Sequence, residues 1–134
     1  MHKAFGNDNK KGLSSYLSGQ ATLEEVITHD DVHNLDFMPS GPVPPNPSEL
    51  LHTEKMKDLL ALLTPKYDYV LVDTAPVGLV SDAIPLIRQS DVNIFVIRSG
   101  KSQLRAAASP ERLSREYGLN NMAIVLNAFG DDAL

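Results

Sequence analysis

The chain has 134 residues, 43% of them hydrophobic, enough for one packed core and too few for two ordinary domains. Its 17 acidic and 12 basic residues give a net charge of −5, which argues against a surface built for non-specific contact with nucleic acid or anionic lipid. It has no cysteine, hence no disulfide and no thiolate metal site; no apolar run reaches the roughly 20 residues of a membrane span, and the opening MHKAFGNDNKKG lacks the apolar centre of a signal peptide, so the expectation is a soluble chain.

The polar opening supplies no buried strand. GLSSYLSG starts a short helix that Gly19 breaks, and Thr22 with Glu25 in ATLEEVI forms a capping box that starts another. HNLDFMPSG reads as a short strand, Leu35 to Met38, stopped by Pro39 and Gly41, and GPVPPNPSELL as a stiff connector. The end of that connector predicts a helix start, with Asn46 as cap, Pro47 at the first helical position and Glu49 at the third. Leu50, Leu51, Met56, Leu59, Leu60 and Leu63 then repeat at helical spacing until Pro65, which predicts one continuous helix.

YDYVLVD is continuously apolar rather than alternating, the pattern of a strand covered on both faces. VNIFVIR and MAIVLNAF repeat that pattern. LVSDAIPLIRQSD and SQLRAAASPERLSREYGLN between them read as helices, the second disturbed by Pro110 and ended by Gly118. Strands and helices alternating at this spacing imply parallel strands joined by crossover helices, an α/β fold with a doubly wound sheet.

In such sheets ligands bind beyond the carboxyl ends of the strands, where Asp73 falls. A carboxylate there can hold Mg²⁺ through water and orient a nucleophile; an aspartate before Thr-x-Pro also serves as a plain turn residue, and the pattern leaves both open. Gly100-Lys101-Ser102 suggests a phosphate-cradling loop, yet the glycine required four positions earlier is Phe95, inside an apolar strand. Arg98, Lys101 and Arg105 read either as a solvated turn or as a basic edge at the ligand end. His29 and His33 stand four apart, but the residues between them look like a turn, which weakens a metal pair. Asp82 reads as a helix cap, Asn127 as a turn residue or a reader of a purine edge, and Tyr16, Tyr67, Tyr69 and Tyr117 as packing residues.

Taken together, HKAFGNDNKKGLSSYLSG, LDFMPSGPVPPNPSELL, the run from YDYVLVDTAPVG to VNIFVIRSGKS, and AIVLNAF resemble the later part of a bacterial protein-tyrosine kinase domain. This is the autokinase associated with polysaccharide chain-length regulators, of the P-loop ATPase-like type. The resemblance covers nearly the whole chain, and PSGPVPPNPSELL is its most specific piece. It implies ATP with Mg²⁺ as cofactors, Asp73 as the catalytic and metal-holding acid of the second nucleotide motif, and Asn127 near the base. It implies as partners other copies of the chain in a ring and a membrane activator domain, with the proline-rich loop near the contact between subunits. The setting it implies is a cytoplasmic domain of a membrane-anchored protein serving capsular or exopolysaccharide synthesis.

The departures from the family pattern are the absence of the lysine-bearing phosphate loop, of the second aspartate-rich loop, of the assembly helix and of a tyrosine-rich tail, with Ala75 in place of a usual proline. The chain is therefore expected to be a single partial kinase domain lacking its first two strands, inactive alone, with open sheet edges that favour self-association. The alternatives are a fragment of a partition or septum-placement ATPase, and a non-catalytic subunit-binding module.

Overall fold

The computed structural model describes residues 9–74, 84–99 and 109–128, and the chain falls into two compact units, Met1–Ala83 and Ile84–Leu134.

The first unit opens with α1 (Leu13–Leu17) and α2 (Leu23–Val26). The Thr22 N–H donates to the Glu25 carboxylate at 2.9 Å, half of the expected capping box, and Gly19 follows α1 at φ +77°. Strands β1 (Thr28–Asp30) and β2 (Leu35–Phe37) form an antiparallel hairpin that pairs Thr28 with Phe37 and Asp30 with Leu35. His29 lies in β1, and the turn expected between the two histidines falls at residues 31–34. The Asp30 carboxylate builds that turn by accepting the Val32 N–H at 3.0 Å, a side-chain to backbone bond typical of aspartate at loop starts.

The single helix expected from Pro47 to Leu63 is two, α3 (Pro47–Leu51) and α4 (Glu54–Leu63). The break has a local cause. Thr53 adopts extended backbone and its side chain accepts the Met56 N–H, so it caps α4 and cannot also lie within a helix. Pro47 takes the first helical position as expected, while Asn46 donates to the Glu49 carboxylate at 2.8 Å rather than capping a backbone amide. Leu17, Val26, Met56 and Leu59 form the buried core of this unit.

The run YDYVLVD is the main departure from expectation. Among the described residues it joins no hydrogen-bonded ladder, and Tyr69 and Leu71 are each 87% exposed. A continuous apolar run reports that both faces want cover, not which strand supplies it. The described strands of the first unit, β1 and β2, pair with one another.

The second unit contains α5 (Ile84–Gln89), β3 (Asn93–Arg98), α6 (Ser109–Tyr117) and β4 (Met122–Asn127). β3 and β4 run parallel, from Asn93 opposite Met122 to Arg98 opposite Asn127, with α6 in the connection between them. This is the strand, helix, strand arrangement expected of an α/β fold. Pro110 is the second residue of α6, where a missing N–H is tolerated, and Gly118 follows the helix at φ +65°. Asn93 and Asn121 lock the start of the ladder: the Asn121 side chain donates to Ser90 O at 2.6 Å, and that of Asn93 to Ile87 O at 2.9 Å. Leu86, Leu113 and Leu119 are the buried apolar residues beside it. Among the described residues no helix is long and apolar enough to cross a membrane.

Candidate functional site

Asp73 belongs to the first unit and lies exposed near the end of the 69–74 segment, which is neither helix nor strand. Magnesium is commonly held by one or two carboxylates together with phosphate oxygens and water, so a single exposed aspartate is the right type of donor for nucleotide-bound Mg²⁺. Among the described residues no three His, Asp or Glu side chains gather into a metal cluster. A lone exposed carboxylate fits an ion brought by phosphate.

Asn127 belongs to the second unit and ends β4 at the carboxyl end of the parallel pair, the end where such sheets bind ligands. Its backbone carbonyl accepts the Ser99 N–H at 2.9 Å and its side-chain Oδ1 accepts the Ala128 N–H at 2.8 Å, with Ala128 at φ +55°. The side-chain oxygen is thus engaged by the backbone, and only the Nδ2 donors would be left for the purine edge that the sequence offered as one reading. Arg98, exposed, sits beside Asn127 at the same end of the ladder. Phe95 lies within β3 opposite Ile124, which agrees with excluding a phosphate loop that would need glycine there. Ala75, Asp82, Lys101 and Arg105 lie outside the described residues. A cleft lined by Arg88, Tyr117, Asn120 and Asn121 opens at the amino end of β4, the wrong end of a parallel sheet for nucleotide.

His29 and His33 do not converge. His33 Nδ1 lies 2.8 Å from Asp30, whereas His29 stands between Asp36, its hydrogen-bonded cross-strand partner, and Asp31 at 2.9 Å. The Tyr67 hydroxyl donates to the other oxygen of Asp36 and ties the chain after α4 to the hairpin. Tyr67 is thus a hydrogen-bonding tether as well as a packing residue. The register that brings residue 29 opposite residue 36 is set by hairpin loop length, and neither histidine spacing nor composition reports it.

The titration of this network has a definite sign. The hydrogen bond to Asp36 and its charge raise the His29 pKa above the ordinary 6.5, and the hydrogen bonds from Tyr67 and His29 lower that of Asp36 below the ordinary 3.8. The His29 contribution to hairpin stability is complete below about pH 6.5 and is lost as pH rises through its raised value. The Asp36 contribution is present above about pH 3.8 and is lost as pH falls through its lowered value. A pH titration of the His29 ring protons by NMR is expected to give a midpoint above the usual histidine range that falls back in Asp36→Asn. An unchanged midpoint in that variant would show that the pair does not form in solution.

No protein-family model matches the chain. It is 35% identical over 127 residues to tyrosine-protein kinase ptk of Acinetobacter johnsonii, covering 95% of this chain and 17% of that protein. It is 36% identical over 126 residues to tyrosine-protein kinase etk of Escherichia coli strain K12, covering 94% and 17% respectively. Against tyrosine-protein kinase YwqD of Bacillus subtilis the identity is 39% over 108 residues, 81% of this chain and 46% of the relative. Among solved structures, the kinase domain of E. coli ETK superposes with a TM-score of 0.85 at 36% identity, over 94% of this chain and 49% of that one. The chimerical protein CapA2B2 superposes with a TM-score of 0.89 at 30% identity, over 98% and 58%. The chain therefore spans about half of these solved chains and 17% of the Acinetobacter and E. coli curated relatives.

Proposed function

We propose that this chain is part of the kinase domain of a bacterial tyrosine-protein kinase, and that the parent protein is an ATP-dependent tyrosine autokinase acting in capsular or exopolysaccharide synthesis. The observation that carries this reading is sequence identity above 30%, sustained over more than nine-tenths of the chain, to proteins that are tyrosine kinases by name. The fold within the parent is a doubly wound P-loop ATPase-like sheet, to which this chain contributes strands other than the first two.

Phosphoryl transfer of this kind is mostly positioning and charge neutralisation. Asp73 is the residue that would hold Mg²⁺ and orient its water, and Mg²⁺, when bound, would neutralise charge on the transferring phosphate. Asn127 would lie near the base. Ring assembly with other copies and a membrane activator domain as partner belong to the same proposal, as does a cytoplasmic setting beside the inner membrane.

The test compares two preparations supplied with ATP and Mg²⁺. The intact parent kinase domain is expected to accumulate phosphotyrosine and, sized by light scattering, to assemble. The 134-residue chain alone is expected to give no binding heat at micromolar concentration and no phosphotyrosine, because no lysine-bearing phosphate loop occurs in its sequence. An intact domain that hydrolyses ATP without forming phosphotyrosine would overturn the kinase reading, and tight nucleotide binding by the short chain would overturn the assignment of an incomplete site.

A further inference from the structure

Between the end of α4 at Leu63 and Asp73 the first unit has neither helix nor strand. The Lys66 N–H closes the end of α4 on Leu63 O at 2.9 Å. Beyond it, among the described residues, the bond from the Tyr67 hydroxyl to Asp36 is the hydrogen bond that ties residues 67–74 to the rest of the unit. Asp73 stands six residues after Tyr67. Such a stretch reaches at most about 20 Å, so the point at which it is pinned limits where Asp73 can lie.

The pin is itself braced. Asp36 stands opposite His29 in the β1–β2 ladder, where His29 Nδ1 hydrogen-bonds with one carboxylate oxygen and the Tyr67 hydroxyl takes the other. The Asp36 side chain is only 20% exposed. With both oxygens engaged, the carboxylate is held in one orientation, and a hydrogen bond to a charged acceptor is of the stronger kind.

Past the pin the segment has a side turned to the protein and a side turned to water. Val70 and Val72 are 37% and 42% exposed, whereas Tyr69 and Leu71 are each 87% exposed. Exposure that alternates with a period of two belongs to a chain whose successive side chains point to opposite sides. By that alternation Asp73 falls on the outward side with Tyr69 and Leu71, and it is exposed. A slip of one residue would exchange the sides, bringing the two valines out and turning Asp73 inward. Two half-covered valines hold that choice weakly, and the Tyr67 bond holds it by position.

We propose that Tyr67, held by Asp36 and behind it by His29, is a positioning residue for phosphoryl transfer: it fixes the register of residues 69–73 and so the side on which Asp73 presents its carboxylate. This rests on the reading of Asp73 as the acid that holds Mg²⁺. Tyr67 acts through Asp73 and not on the reacting atoms.

The test is made in the intact parent kinase domain with Tyr67→Phe, which removes the hydroxyl and keeps the ring. The kcat is expected to fall roughly tenfold and the Mg²⁺ concentration for half-maximal rate to rise about threefold, with KM for the tyrosine substrate unchanged. Asp36→Ala should give a loss of similar size, and the double variant no more than either alone, because the same bond is lost in each. In an Asp73→Asn background Tyr67→Phe should change kcat by less than about twofold, since the group it positions is gone. A merely structural role would lower the melting temperature and give the same factor in both backgrounds. The proposal is overturned by unchanged kcat and magnesium requirement in Tyr67→Phe, by additive losses from Tyr67→Phe and Asp36→Ala, or by an undiminished effect of Tyr67→Phe beside Asp73→Asn. A fully active Asp73→Asn would remove the metal-holding reading of Asp73 and the tether with it, whereas an impaired Asp73→Asn beside a normal Tyr67→Phe would remove the tether alone.

Discussion

Gly12→Ala is expected to destabilise the first unit by about 3 kcal/mol, because the added methyl has no room and its neighbours are backbone. A Cβ at residue 12 would fall closer than 3.0 Å to Pro39 O and to Gly41 N and Cα, a separation that real Cβ atoms essentially never show. The crowding follows from the hydrogen bonds that seat the 39–41 backbone on the start of α1, where unpaired helix N–H groups find their acceptors. Relief requires the loop to lift, which breaks the bonds from Leu13 and Ser14 and the pairing of Asn9 with Gly41. Hydrogen exchange gives the specific readout: the Leu13, Ser14 and Gly41 amides should lose protection in Gly12→Ala. Gly118→Ala is the contrasting case. A Cβ there meets nothing within 4 Å, and its cost, about 1–2 kcal/mol, comes only from the left-handed backbone. It should leave those three amides unchanged, and equal protection in the two variants would show that the contact at Gly12 is loose.

Features set by neighbouring residues were legible in the sequence, and features set by distant pairing were not. Thr22 with Glu25, Gly19, Pro47 and Gly118 mark helix ends because each acts on backbone within a few positions of itself. The parallel pair β3–β4 was legible because two unbroken aliphatic runs flank a helical stretch. The break at Thr53 was hidden by the leucine period, which continues on both sides of the cap and masks one residue with extended backbone. The link between His29 and Asp36 depends on hairpin register, and that of Tyr67 to Asp36 spans 31 positions, so neither leaves a local pattern. Asp73 could be placed at the end of an apolar run by inspection. The ladder such a run needs is a matter of which strands lie beside it, and that information is not local to the run.

Asp73→Asn in the intact parent kinase domain is expected to lower kcat by roughly 10²–10³-fold, the scale seen when one preorganised electrostatic group is removed from a transition state. Asparagine keeps the size and one oxygen of the side chain but loses the charge that makes a carboxylate a ligand for a hard cation. The Mg²⁺ concentration for half-maximal rate should therefore rise as well, while KM for the tyrosine substrate stays near its original value. Asp73 is exposed, and an exposed substitution that leaves the backbone alone moves stability by about 0.5 kcal/mol or less, so the melting temperature should hardly change. That combination separates the proposed role from the turn role the sequence left open. A residue with only a turn role would show the reverse, a lower melting temperature with a magnesium requirement unchanged. Asp73→Glu keeps the charge and moves it by one methylene, so it should recover part of the rate if charge is what matters and none if loop geometry is. Full activity of Asp73→Asn at ordinary magnesium concentrations would remove Asp73 from the proposed site.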